Sequence, residues 1–186
     1  MIEPVFTEEE RILLDARTRL LAQPASALDQ RPTMPAIEIQ VAGERYAIDA
    51  HVVQSVAAMT RLAPLPHAPP QVAGLIARGA EILPAFHLHA VLDLPLTALP
   101  EYGRVVLLGR RAAELGLVVE AVLGVRSVDL DALAPVPASF SPGARGLLRG
   151  LDHAGVPILD GAALLASDAL IVDIALPRAG EEGAAR

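Results

Sequence analysis

The sequence predicts a mainly β protein, an antiparallel barrel or sandwich preceded by one N-terminal helix. Three observations lead there. Short apolar runs recur at close spacing between residues 36 and 174, with Gly and Pro between them. The runs are rich in Val, Leu and Ile; hydrophobic residues make up 53% of the 186 residues and aromatics only 3%, so an aliphatic core of useful size can be built. Only one stretch, after Thr7, joins a helical period to a helix start signal.

That stretch comes first. Thr7-Glu8-Glu9-Glu10 has capping-box spacing, and Ile12, Leu13, Ala16, Leu20 and Leu21 follow at helical spacing. Arg11, Arg17 and Arg19 keep the other face polar, and the helix should stop before Pro24. It either docks on its own domain or binds a partner. Residues 1–35 read as helix and linker, 36–176 as the main domain, and 177–186 as a small, charged, disordered tail.

Within the main domain Ile37, Ile39 and Val41 alternate with Ala36, Glu38 and Gln40, the pattern of a half-buried strand. Ala42-Gly43-Glu44 is a turn and Tyr46–Asp49 is extended. His51–Val56 fits a strand or a short helix equally well. Leu62–Pro70 is a proline-rich connection. Apolar runs at Gly74–Ile76 and Ile82–Phe86 follow, then strands at Arg104–Leu108 and Leu115–Val119, the latter continuing after Glu120 through Ala121–Val128. Leu130–Ala134 reads as one helical turn and Pro135–Pro142 as loop. Val156–Leu159 is a strand, Gly161–Leu165 a helical turn, and Leu170–Ile174 a last strand.

Composition excludes several function classes. A net charge of -7 without a basic patch argues against nucleic acid and anionic membrane surfaces as partners. The absence of Cys removes disulfides, thiolate metal sites and cysteine nucleophiles. The absence of Lys removes Schiff-base and P-loop lysines. The N-terminus lacks a basic region followed by an apolar run, so a cytoplasmic location is expected rather than secretion. The longest uncharged stretch, Leu62–Ala77, contains Pro64, Pro66, Pro69 and Pro70 and cannot be a spanning helix.

Few residues suggest chemistry. On a strand His87 and His89 would share a face, but no acidic ligand lies close in sequence, so no metal or other cofactor is assigned. Asp129 and Asp131 read as turn caps rather than an acid–base pair. Gly143, Gly146 and Gly150 read as turn glycines, not a dinucleotide fingerprint. No catalytic residue is assigned.

Several segments, in order, resemble the CheW family of chemotaxis coupling proteins. They are Gly43-Glu44-Arg45-Tyr46-Ala47-Ile48-Asp49, Val53-Gln54-Ser55-Val56, Arg61–Pro70 with Gly74-Leu75-Ile76, Gly116-Leu117-Val118-Val119-Glu120-Ala121-Val122, Pro135–Phe140, and Gly150-Leu151 with Val156-Pro157-Ile158-Leu159-Asp160. The resemblance spans about Ala36–Ile174. It implies two small five-stranded SH3-like barrels related by a pseudo-two-fold, and a non-enzymatic adaptor. One surface would bind the regulatory domain of a CheA-type histidine kinase, and an apolar groove would bind chemoreceptor cytoplasmic tip helices. The partner-binding residues it implies are Val53, Gln54, Val56, Gly74, Leu75, Arg78, Gly79, Leu117, Val119 and Glu120. The chain departs from the family where Asn-Leu-Arg-Gly becomes Ala77-Arg78-Gly79-Ala80, and where Val-Asp-Leu becomes Phe86-His87-Leu88. That leaves a one-partner regulator as the alternative, and a small β-barrel enzyme as a remote one.

Overall fold

The structure is a computed structural model that describes residues 32–59, 62–95 and 103–171. The expected N-terminal helix, most of its linker and the C-terminal tail lie outside the described residues, while residues 33–35, read as the end of the linker, already belong to the first strand. Among the described residues, ten strands form two five-stranded sheets. The first has the order β8-β1-β2-β10-β9, from β1 (Thr33–Val41), β2 (Glu44–Asp49), β8 (Ala121–Asp129), β9 (Leu148–Leu151) and β10 (Pro157–Leu159). The second has the order β3-β6-β7-β5-β4, from β3 (Val53–Ala58), β4 (Val72–Arg78), β5 (Glu81–His87), β6 (Arg104–Leu108) and β7 (Leu115–Val119). Among the described residues, helices are short: α1 (Leu88–Val91), α2 (Pro142–Gly146), α3 (Gly161–Leu165) and two 3₁₀ turns.

The two lobes repeat one plan. Each runs from an antiparallel edge pair with a bulge, through an antiparallel pair and a parallel pair, to a second bulged antiparallel pair. Each is closed by a bridge. Ala63, after β3, exchanges two 2.8 Å backbone hydrogen bonds with Leu75 of β4. Ala134, after β8, makes the same exchange with Leu151 of β9, at 2.8 and 2.9 Å. A glycine precedes each bridging leucine for a steric reason. A Cβ on Gly74 would collide with the Ala63 carbonyl, and one on Gly150 would lie 2.8 Å from the Ala134 oxygen. Closure therefore needs bare backbone at both places.

Local sequence explains the turns. Ala42 (φ 51°) and Gly43 (φ 80°) are both left-handed, as the type I′ turn joining β1 and β2 requires. Gly79 (φ 60°) and Ala80 join β4 to β5 with positive φ at the first central position alone, the type II′ pattern. Asp160 caps α3, its Oδ1 accepting from the Ala162 and Ala163 N–H groups at 2.9 and 3.0 Å.

Several expectations need correction. β1 is buried in part on both faces, since Met34 and Ala36 pack into a small core with Ala47, Val128, Val156 and Ile158. The stretch read as one strand through Glu120 is two strands in different sheets, and Glu120 is the crossover. His51–Val56 is both alternatives in succession, a 3₁₀ turn (Ala50–Val52) and then β3. Leu130–Ala134 is not helical, because Ala134 is held extended by its bridge to Leu151. Gly143 and Gly146 belong to α2, while Gly150 belongs to β9. Leu170 ends a 3₁₀ turn (Asp168–Leu170) begun by Ser167, whose Oγ accepts from Ala169 N–H at 3.3 Å, and the rest of the expected Leu170–Ile174 strand beyond Ile171 lies outside the described residues.

Candidate functional site: the seam between the lobes

The largest core belongs to both lobes. Ile39, Val41, Tyr46, Ile48 and Leu159 from the first sheet pack in one cluster with Phe86, Val106, Leu108, Leu115 and Leu117 from the second. Each sheet presents alternate residues to this seam. Ile37, Val53 and Val122 pack against it partly buried. Beyond them the apolar surface runs outward along the two edge strands: Val56 on β3 is 40% exposed, and Leu123 and Val125 on β8 are 49% and 74% exposed. Val125 pairs across the ladder with Ile37, so apolar surface continues from the core to solvent there.

The predicted partner-binding residues divide by this geometry. Val53, Gln54 and Val56 all lie on edge strand β3. Gln54 is the extra residue of a bulge, because Val53 pairs with Leu108 while Ser55 pairs with Leu107. Its amide donates to the Gly109 carbonyl at 2.8 Å and restores a bond at the place where the ladder is interrupted. Leu117 and Val119 are 0% and 2% exposed. They are core walls, and an associating surface meets them only through the residues packed on them. Gly74 is buried and serves lobe closure, while half-buried Leu75 carries the closing bridge. Arg78 and Gly79 sit at the exposed β4–β5 turn, with Arg78 paired across the ladder with Glu81. The β4 residue that packs on the seam is Val72, at the opposite end of the strand, about 20 Å away at roughly 3.3 Å per residue.

Glu120 is a tie between elements. Both carboxylate oxygens accept from the Gly43 N–H, at 3.0 and 3.2 Å, and its own N–H donates to the Gln40 carbonyl at 2.9 Å. The crossover between the sheets is thereby fastened to the β1–β2 turn.

Two features lie at the lobe ends. A cleft of about 470 Å³ in the first lobe is lined by Glu44, Arg45, Tyr46, Phe140, Leu151 and Pro157, among others. Burial, and secondarily the Glu44 charge, push the Tyr46 phenol above its ordinary value. In the second lobe the β4–β5 turn presents Ile82, 69% exposed, beside the Arg78–Glu81 pair. Sequence reasoning did not single out Ile82, Leu123 or Val125; a bulky apolar residue in a strand reads as core until the sheet order shows which face is uncovered.

His89 lies on α1 and not on a strand, yet the His87 and His89 rings still stand 5.2 Å apart, tilted by 45°. Among the described residues, no three His, Cys, Asp or Glu side chains are grouped so as to hold a metal ion. Asp131 N–H donates to Asp129 Oδ1 at 3.0 Å, the turn role expected of that pair. Among the described residues the buried carboxylate is Asp152. It accepts from Ala154 and Val156 N–H at 2.9 and 2.8 Å and from the Arg126 guanidinium, whose other nitrogen lies 3.8 Å from Glu38.

Two similar lobes share one apolar core and leave apolar side chains exposed on two sheet edges, an arrangement suited to a scaffolding domain. The chain belongs to the CheW-like domain family, whose domain matches residues 35–169, well over half of its length. Fifteen chains of known structure match. One is the scaffolding protein TtCheW from Thermoanaerobacter tengcongensis, 18% identical, with a TM-score of 0.60 over 72% of this chain and 86% of that one. A search of the curated proteins finds no match. Among the described residues no helix is long and apolar enough to cross a membrane.

Proposed function

We propose that this protein is a cytoplasmic adaptor that couples chemoreceptors to a CheA-type histidine kinase and is recruited to receptor arrays. The observation that carries the reading is the apolar margin of the seam. Val56, Leu123 and Val125 extend a buried core onto two sheet edges without a charge among them. An amphipathic helix, such as a chemoreceptor cytoplasmic tip helix, is recognised by such a surface through apolar anchors at i, i+3, i+4 and i+7. The regulatory domain of the kinase would meet a lobe end, where the Glu44–Arg45 rim of the cleft and the Arg78–Glu81 turn offer mixed charge around apolar surface. Neither direct membrane contact nor nucleic-acid binding is part of this reading, given the net charge of -7.

The test is binding of full-length protein to a receptor tip fragment and to the kinase regulatory domain, measured separately. Val56→Asp with Val125→Asp should weaken receptor binding at least about tenfold, as placing a carboxylate in a desolvated contact costs more than about 1.4 kcal/mol. Kinase binding should stay within about twofold. Unchanged receptor affinity would sink the assignment of the seam. A second reading, a regulator that binds only the kinase, is favoured by one observation: Arg78 stands at the far end of β4 from Val72 and the seam. If the unmodified chain binds kinase and no receptor fragment, that reading replaces the first.

A further inference from the structure

We propose that the cleft of the first lobe is a preformed binding site for a small organic cation on an apolar stem, an alkylguanidinium or alkylammonium group. The inference rests on the chemistry of the cleft and does not depend on the adaptor reading. Its charge comes from one strand face. Glu44 and Tyr46 stand two apart on β2 and project to the same side. Arg45 also lines the cleft, but its side chain leaves the opposite side of the strand, where it donates to Glu38 Oε1 at 3.3 Å. Among the described residues Glu44 makes no ion pair. A second carboxylate, Glu120, sits at the Gly43 end of the cleft, its oxygens 3.0 and 3.2 Å from the Gly43 nitrogen. The charge left unpaired there is negative.

Tyr46 adds a second polar group. The residue is only 3% exposed, yet among the described residues its hydroxyl has no hydrogen-bond partner. No fully buried side-chain oxygen or nitrogen among them lacks a partner, so this hydroxyl is not sealed in the core and opens on the cleft that the residue lines. A phenol in that place can accept from a ligand N–H, and the rings of Tyr46 and Phe140 are neighbours that a cation favours.

The remaining walls, Leu94, Phe140, Leu151 and Pro157, suit an aliphatic stem. Leu94 and Phe140 come from separate loops, one after α1 and one before α2. A bond between their chain neighbours ties the loops together, Ser141 Oγ donating to Asp93 Oδ2 at 2.6 Å. The Leu94 N–H donates in turn to the His89 carbonyl at 2.8 Å. These walls stand in place before a ligand arrives, which reduces the ordering that binding costs. A volume of about 470 Å³ falls within the range of small-molecule sites. The alternatives fit worse. An anion would meet Glu44 and Glu120, and a wholly apolar ligand would strip water from Glu44 and Tyr46 without replacing it.

Titration of the full-length protein with butylguanidinium chloride, followed by NMR of the Tyr46 and Phe140 rings, tests this. The shifts should saturate with a Kd of about 1–10 mM, as suits so small a ligand. Butylurea has nearly the same shape without the charge and should bind at least about fivefold more weakly. Glu44→Gln changes an exposed side chain and should weaken butylguanidinium binding by about five- to tenfold. Tyr46→Phe keeps the ring and should weaken it by about two- to fivefold. N-acetyl-arginine methylamide presents the same cation on a peptide backbone. Tighter binding than butylguanidinium assigns the site to an arginine side chain of a protein partner, and no gain assigns it to a free cation. The proposal is overturned by a lack of saturation up to about 50 mM, by equal affinity for butylurea, or by unchanged affinity in Glu44→Gln.

Discussion

Replacing Gly74 with Ala separates a structural role from a binding role at a residue in the predicted partner set. The new Cβ would overlap the Ala63 carbonyl oxygen, lie 3.0 Å from its carbon and 3.3 Å from Pro64 Cα, all of them backbone or next to it. The residue also sits at φ 137°, outside the range that L-residues adopt readily. Backbone in such a region costs about 1–3 kcal/mol for a residue with a Cβ. Moving Ala63 away breaks the paired 2.8 Å bonds to Leu75, at ~0.5–1.5 kcal/mol each. Reduced freedom of the unfolded chain returns roughly 0.4–1 kcal/mol. The net expectation is a loss of about 2–4 kcal/mol, set mainly by conformational strain and the broken closure. Gly150→Ala provides an internal control. It makes the matching collision with Ala134 in the other lobe, but its φ lies outside the left-handed range, so the strain contribution is absent. Its expected loss is only about 1–2 kcal/mol. Urea denaturation followed by circular dichroism measures both. Receptor-fragment binding per folded molecule should be unchanged in Gly74→Ala. The reasoning fails if Gly74→Ala costs less than Gly150→Ala, or if it leaves stability intact while binding is lost.

Two other outcomes are expected. Asp152→Ala removes the acceptor for two backbone N–H groups and for Arg126, and should destabilise by about 3–5 kcal/mol, whereas Asp152→Asn keeps an acceptor oxygen and should cost clearly less; equal losses in the two variants, read by chemical denaturation, would contradict the charge-pair account. Stability should fall on acidification in two stages. Because the His87 and His89 values are lowered on folding, their contribution is complete above the unfolded histidine value and is lost as pH drops through the folded ones. Burial raises the Asp160 value, but the Ala163 N–H, Arg149 and the Ala162 N–H outweigh it and hold the carboxyl below its ordinary range, so its contribution is lost only below the usual carboxylate pKa. Thermal melts across pH should show the first stage vanish in the His87→Gln, His89→Gln double variant and the second in Asp160→Asn.

The parts of the fold legible in the sequence were those where one local rule acted alone. Alternation in Ile37-Glu38-Ile39-Gln40-Val41 and a glycine-bearing turn marked the first hairpin, and the apolar runs marked β6 and β7. The Leu115–Asp129 stretch misled because a strand buried on both faces has no alternation to lose at the crossover. Glu120 was the one visible interruption. α2 was missed because two of its five residues are glycines, although Ser141 and Pro142 were in place as cap and first residue. At the site, the Gly116-Leu117-Val118-Val119 motif carried the family resemblance without revealing its side chains' direction, and those side chains face the core. A polar residue such as Gln54 gave no sequence clue that it mends a bulge.

The path of the chain between the sheets bears on how the protein emerges during synthesis. The second lobe, β3 through β7, is continuous in sequence and lies between the two halves of the first. Met34 must wait for Val128, and Ala47 for Ile158, before either pair can form. On the ribosome the second lobe can close while β1 and β2 are still a lone hairpin without a sheet, exposing the edge that β8 will cover and the apolar face that the seam will bury. The late arrival of β8–β10 makes loop closure across the whole second lobe the long-range step of folding. A nascent chain cut before β8 would carry one finished lobe and one sticky hairpin, the species from which aggregation should start.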